Sequence, residues 1–231
     1  FAECEEAREL ASNAAFRAEA ESLRAEELVD YERVARLKRP ILELLYRTFR
    51  ESHLGPAGEP PRSDRGAGFR RFQRLNGQAL ENLGRFQALC EHFGPEAGPG
   101  DWPAAYRDPE TEEVEDFARR ERDRVEFFHY LQWVADQQLT AAAEAAREGG
   151  CEIGLYHDLA LAPDGGGAEA WGNRNVLAAG VALGAPPDDW NLKGQNWGMP
   201  PYSPVGLRAA GYQPFIDVIR ANMRNAGALL S

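Results

Sequence analysis

The residue types that could do chemistry are concentrated in one segment, residues 184–202. Sugar recognition needs flat apolar surfaces for the C–H faces of a pyranose ring, next to amide and carboxylate groups that bond its hydroxyls. Both kinds are present: the aromatic residues are Trp190, Trp197 and Tyr202, and the polar residues are Asp188, Gln195 and Asn196. The segment therefore predicts a saccharide-binding loop. The alternative is a loop whose tryptophans pack on the domain, and composition alone favours neither.

A further candidate, Asp158, ends a short apolar run at residues 151–159. Gly149 and Gly150 stop the preceding helical pattern, and the composition of the run predicts a buried strand. In parallel α/β folds, ligand-binding side chains lie at the carboxyl ends of the strands. Asp158 is therefore predicted to bind a sugar hydroxyl or hold a neighbouring loop, with capping of its own loop as the alternative. His157 is expected to be structural, because the spacing suggests no serine or cysteine partner.

A rival motif lies at residues 165–170, where the sequence GGGAEA fits the glycine pattern of a dinucleotide site. Asp188 follows about 20 residues later, where such a site places its ribose-binding acid. However, Pro163 and Asp164 lengthen the turn, and Asp188 follows two prolines in a loop. The motif is therefore a weak indication of an NAD-binding oxidoreductase.

Five motifs occur in an order and at spacings that resemble the amylomaltase family of 4-α-glucanotransferases, glycoside hydrolase family 77. They are residues 153–160 (IGLYHDLA), 168–171 (AEAW), 184–188 (GAPPD), 194–198 (GQNWG) and 214–224 (PFIDVIRANMR). Residues 125–133 (VEFFHYLQW) are similar to the segment that precedes them in the family. The resemblance is strong over residues 114–229 and weak over the helical first half.

This resemblance implies a retaining transferase on a (β/α)8 barrel with helical insertions. In the family an aspartate attacks the anomeric carbon, a glutamate protonates the leaving oxygen, and another sugar's hydroxyl resolves the glucosyl-enzyme. Maltodextrin, an α-1,4-glucan, is the implied partner, and no cofactor or metal is implied. The expected substrate contacts are Trp190, Gln195, Asn196 and Trp197, with Asp158 and Asp188 as polar partners or loop anchors. A non-catalytic glucan-binding or structural fragment is the alternative.

The sequence departs from the family pattern at its end. Residues 225–229 resemble the start of a family strand that continues as Arg-Ile-Asp-His and carries the nucleophile, whereas here Leu230 and Ser231 follow. The nucleophile, the proton donor and a third acid are therefore expected beyond Ser231. No catalytic residue is assigned, and the chain alone is expected to be inactive and truncated.

The elements that would position these residues are mainly helical at first. Helices are predicted over residues 3–50, with a kink or a new helix at Pro40, over 69–93 and over 112–148. Loops are predicted at 55–68 and 94–109, and a last helix at 214–225. The predicted class is α/β, with a helical subdomain at 1–110 and a partial barrel at 111–231 that carries a long substrate-binding loop at 163–212.

The bulk composition excludes other classes. The net charge of −11 would repel a phosphate backbone, so nucleic acid is not an expected partner. No apolar run approaches the roughly 18 residues of a membrane span, and the acidic N-terminus is unlike a secretory signal. Cys4, Cys90 and Cys151 are far apart and are expected to be reduced thiols. A cytoplasmic protein without membrane partners is therefore expected.

Overall fold

The computed structural model describes residues 1–56, 59–94, 97–160 and 162–230, and it is mixed α/β and mostly helical. The chain divides into two compact units, Phe1–Asn76 and Gly77–Ser231. The elements in chain order are α1 (Glu5–Ser12), α2 (Ala14–Arg24), α3 (Tyr31–His53), α4 (Asp64–Phe93), α5 (Glu112–Arg120), α6 (Arg122–Glu148), β1 (Leu155–Asp158), α7 (Ala168–Gly172), β2 (Gly184–Ala185), β3 (Gln195–Asn196), α8 (Pro204–Ala209), α9 (Gln213–Met223) and β4 (Ala226–Leu230). Residues 57–58 and 95–96 of the two predicted loops, and Ser231, lie outside the described residues.

The first unit is built from α1 to α3 and the first part of α4. Phe49 of α3 is buried and packs edge-on against Phe69 of α4, with ring centroids 5.5 Å apart. The prediction of a new helix at Pro40 is wrong, because α3 runs through this residue, whereas a kink there stays a prediction. Arg36 and Pro40 are both exposed, so the Arg36 carbonyl that loses its usual donor can bond to water.

Helix α4 begins inside the predicted loop 55–68. The Ser63 hydroxyl accepts a 3.2 Å hydrogen bond from the Gly66 backbone N–H, which caps the helix at this point. The helix is interrupted at Gly77, whose φ of 47° and ψ of −133° are not helical. This is where the first compact unit ends.

The second unit is organised around an aromatic cluster. Trp102, 1% exposed, lies with its ring centroid 5.5 Å from Phe86 and 6.3 Å from Trp171. Phe93 and Tyr106 are 5.2 Å apart, and Tyr106 also contacts Phe117 of α5. Because these contacts join the end of α4 to α5 and α7, the predicted domain boundary at residue 110 lies inside this unit.

The long helix predicted over 112–148 separates into α5 and α6 at Glu121, whose φ and ψ of −97° and 25° leave the helical region. Phe117, Val125 and Phe128 are buried, whereas Leu139 is 41% exposed.

Strands β1 and β4 pair in parallel, from Leu155 opposite Ala226 to Asp158 opposite Leu230, which confirms the parallel arrangement. The prediction of a buried strand is wrong, since Tyr156 is 62% exposed. In the described part of the chain this sheet has two strands, and all their residues are half-buried or exposed. Phe215 and Met223 of α9 are also exposed, by 41% and 58%.

Candidate functional site

The predicted loop 163–212 contains a β-hairpin. Gly184 pairs with Asn196 and Ala185 pairs with Gln195, so β2 and β3 are antiparallel. Backbone hydrogen bonds extend the hairpin at its base, from Trp197 N–H to Leu183 O at 2.9 Å and from Leu183 N–H to Met199 O at 2.8 Å. A Cβ atom on Gly184 would lie 2.0 Å from the Gln195 carbonyl oxygen, so this close pairing requires glycine. The loop therefore has an ordered backbone that can present side chains.

Asp188 organises the turn of the hairpin. Its Oδ1 atom accepts hydrogen bonds from the backbone N–H groups of Trp190 at 2.9 Å and Asn191 at 2.6 Å. Its own N–H donates to the Asn191 carbonyl at 3.2 Å. This geometry is that of an Asx-type turn, in which an aspartate replaces part of the backbone bonding. Trp190 is held at the tip with 91% of its surface exposed.

Strand β3 and the residue that follows it carry three of the predicted residues, Gln195, Asn196 and Trp197. The Trp197 indole Nε1–H donates a 2.8 Å hydrogen bond to Gln195 Oε1, and 41% of Trp197 is exposed. Asn196 Oδ1 accepts from the Gly198 N–H at 2.9 Å. Gln195 and Asn196 are exposed and keep their side-chain N–H groups for a ligand, since it is their oxygens that accept these bonds. The result is an indole oriented by the Gln195 amide, with the exposed Asn196 amide at the next position of the strand.

Tyr202 has a different environment from the two exposed tryptophans. It is half-buried, its hydroxyl donates a 2.8 Å hydrogen bond to Glu169 Oε1, and its ring lies 5.7 Å from that of Phe215. Burial, together with the hydrogen bond to Glu169, raises the pKa of Tyr202 well above its ordinary value. Tyr202 therefore packs on the domain, which is the alternative to sugar contact that composition left open.

Asp158 is exposed at the carboxyl end of β1, opposite Leu230. The neighbouring His157 is bonded through Nδ1 to the Asn222 carbonyl oxygen at 2.8 Å, a structural contact between β1 and α9. Among the contacts of the described residues, none joins Asp158 to the hairpin. The structure thus gathers Asp188, Trp190, Gln195, Asn196 and Trp197 on one hairpin and places Asp158 on the other sheet.

A cavity of about 520 Å³ lies beside the base of the hairpin and contains none of the six predicted residues. Its lining includes Asp108, Glu110, Arg174, Asn175, Val181 and Pro200. Sequence reasoning missed it because these residues come from segments that are distant in sequence and form no motif. The acidic pair at 108 and 110, directly before α5, is the one local signal.

The glycine motif at residues 165–170 does not lie in a tight turn between a strand and a helix, as a dinucleotide site requires. The helix after Gly165–Gly167 is α7, which has 5 residues, and the loop that precedes it separates it from β1. Asp188 stands in a hairpin turn and not at the end of a second parallel strand. In the described ranges, no group of three or more His, Cys, Asp or Glu side chains could hold a metal ion.

The family model for 4-α-glucanotransferases matches residues 4–229, so the match reaches the helical first half as well. The 4-α-glucanotransferase of Mycobacterium tuberculosis is 36% identical over 192 residues, which are 83% of this chain and 25% of the relative. The enzyme of Haemophilus influenzae is 30% identical over 90% of this chain and 30% of its own length. The chain belongs to the 4-α-glucanotransferase family. It spans about a quarter to a third of the length of these curated relatives.

Two solved structures are similar to this chain. The amylomaltase of Corynebacterium glutamicum matches with a TM-score of 0.64 and 30% identity, over 84% of this chain and 24% of that one. The amylomaltase of Streptococcus agalactiae in complex with acarbose matches with a TM-score of 0.73 and 20% identity, over 87% of this chain and 39% of that one. No helix in the described ranges has the length and apolar character needed to span a bilayer.

Proposed function

We propose that this chain is a glucan-holding part of a 4-α-glucanotransferase that transfers α-1,4-glucan segments between maltodextrins by a retaining double displacement. The observation that carries the proposal is the hairpin β2–β3 in a chain of this family, with Trp197 oriented by Gln195 and exposed to solvent. A partial (β/α)8 barrel is the proposed architecture. The parallel pairing of β1 with β4, separated by helices α7 to α9, supports it.

The hairpin suits a glucan because it combines the two kinds of contact that a pyranose ring uses. The exposed faces of Trp190 and Trp197 offer apolar surface for ring C–H groups. The amide N–H groups of Gln195 and Asn196 can donate to the ring hydroxyls. The turn bonds of Asp188 and the indole bond of Trp197 fix these groups before a ligand arrives, which lowers the entropy lost on binding.

Neither of the two predicted acids, Asp158 and Asp188, is assigned to the chemistry itself. A retaining displacement needs two carboxylates about 5–5.5 Å apart. Of the two predicted acids, Asp188 is occupied by its turn and Asp158 lies on the other sheet. We therefore assign both to holding the substrate or its loops, and we propose that the complete enzyme works in the cytoplasm without nucleic-acid or membrane partners.

Retention of the purified chain on an amylose column tests this proposal. We expect the unmodified chain to be retained and eluted by maltose, and Trp197→Ala to pass through. Tyr31→Ala is the control, since it removes an aromatic residue that is 78% exposed in the other compact unit. A chain that is not retained at all would show that the hairpin is structural, and equal retention of all variants would show that Trp197 is not the contact.

A further inference from the structure

The cavity beside the hairpin has the size of a small-molecule site. Its volume of about 520 Å³ falls in the range of roughly 300–1,000 Å³ that is typical of ligand pockets. Three parts of the second unit form its walls: residues 108–110, residues 170–172 and 174–175 with Gly165, and residues 177–181 with Gly198 and Pro200. None of its lining residues belongs to the set on the hairpin that is proposed to contact sugar.

Two polar side chains of the cavity, Asp108 and Arg174, are held by hydrogen bonds to the backbone. Asp108 Oδ1 accepts a 3.0 Å hydrogen bond from the Glu110 N–H, and Asp108 Oδ2 lies 3.9 Å from the Arg174 guanidinium. Arg174 also donates a 2.8 Å hydrogen bond to the Arg107 carbonyl. In the part of the chain that the structure describes, the Glu110 carboxylate and the Asn175 amide make no side-chain hydrogen bond. These two groups are therefore available to a ligand.

The charge of the lining selects among ligands. The two carboxylates of Asp108 and Glu110 outweigh the single guanidinium of Arg174, so a phosphate or carboxylate ligand would be repelled. A neutral polyhydroxylated ligand meets no such penalty, because its hydroxyls can donate to Glu110 and accept from Asn175. The remaining wall, with Leu177, Val181 and Pro200, is apolar, as the C–H face of a sugar ring requires.

We propose that this cavity is an additional saccharide subsite that takes one neutral glucopyranosyl unit, either free glucose or the end of an α-1,4-glucan. The proposal rests on the proposed function and adds a position to it. Gly198 lines the cavity and directly follows Trp197 in the sequence. The proposed subsite and the Trp197 contact therefore lie on neighbouring residues of one chain segment.

Calorimetric titration of the 231-residue chain with maltotriose, glucose and glucose 6-phosphate tests the subsite. Ala179→Trp places a large side chain in the cavity lining, and Ala182→Trp adds the same volume to the same segment away from it. We expect maltotriose affinity to fall by about ten-fold or more in the first variant and to change by less than about two-fold in the second. Glu110→Gln should weaken binding by about three- to ten-fold, the effect of one lost hydrogen bond, and Glu113→Gln should not. Glu110→Gln keeps the test decisive if Ala179→Trp does not fold.

The outcomes separate the subsite from the hairpin. If Trp197→Ala weakens binding while Ala179→Trp and Glu110→Gln do not, the subsite is overturned and the proposed function stands. If the unmodified chain binds no saccharide, both are overturned. Glucose binding that Ala179→Trp abolishes supports a site for free sugar, and an effect limited to maltotriose supports a site for a glucan end. Tighter binding of glucose 6-phosphate than of glucose would contradict a neutral ligand.

Discussion

The Tyr202 hydroxyl donates a 2.8 Å hydrogen bond to Glu169 Oε1 and so links the segment after the hairpin to helix α7. The tyrosine is half-buried, and the bond satisfies a hydroxyl that would otherwise lose its water partner. Because α7 also carries the buried Trp171 of the aromatic cluster, this bond connects the base of the hairpin to the core of the second unit.

Replacing Tyr202 by phenylalanine should lower the free energy of unfolding by about 1–2 kcal/mol, because Glu169 then loses its donor in a partly buried position. Urea denaturation checks this, with Tyr156→Phe as the control, since Tyr156 is 62% exposed.

The raised pKa of Tyr202 sets the pH dependence of the stability that its hydroxyl contributes. The contribution of the neutral hydroxyl is fully present below the ordinary tyrosine pKa of 10.0 and is lost only as the pH rises beyond it. Equal stability of the two variants would contradict this role.

Replacing Asp188 by alanine should loosen the turn that holds Trp190. The substitution removes the acceptor of two backbone N–H groups, each worth about 0.5–1.5 kcal/mol. Hydrogen exchange should show faster exchange of the Trp190 and Asn191 amides, and retention on amylose should weaken. Asp189→Ala, at the next exposed position, is the matched control and should alter neither. Unchanged exchange in Asp188→Ala would mean that the turn is held by the chain on either side.

Cys90 and Cys151 should differ in reactivity. Burial, with a smaller effect from Glu91, raises the pKa of the Cys90 thiol to about 11, whereas Cys151 is exposed. The thiolate is the reactive form, so iodoacetamide at pH 8 should label Cys151 long before Cys90. The same shift implies that stability is unaffected below about pH 9 and decreases between pH 9 and 11, where the unfolded chain releases this proton first. Mass spectrometry of labelled peptides measures the order in which the two cysteines are modified. Equal modification rates of Cys90 and Cys151 at pH 8 would contradict the predicted difference in reactivity.

The 231-residue chain should not disproportionate maltotriose. The predicted site residues include no opposed pair of carboxylates with which a glycosyl-enzyme could be formed and resolved. Chromatography of the products after long incubation should show maltotriose alone, even under conditions in which the chain is retained on amylose. Formation of glucose and longer maltodextrins would overturn this prediction.

The helices and the family were readable from the sequence because both depend on local information. The helices predicted over residues 3–50 and 112–148 coincide largely with α3 and with α5 and α6. The boundaries of the helices were predicted less accurately. Helix α4 begins earlier than its glycine-rich surroundings suggested, because Ser63 caps it. Helix α3 continues through Pro40, because this turn of the helix faces solvent.

The sequence by itself determined that residues 184–198 belong to a 4-α-glucanotransferase and supply aromatic and amide groups, since these follow from residue type and order. Only the tertiary structure decided how each side chain is used. A hydrogen bond between Trp197 and Gln195 orients one indole, a contact with Glu169 turns Tyr202 inward, and Asp188 is committed to its turn. The cavity at residues 108–110 and 174–181 also arises only in three dimensions. Such partners are set by packing between segments distant in sequence, which no local pattern encodes.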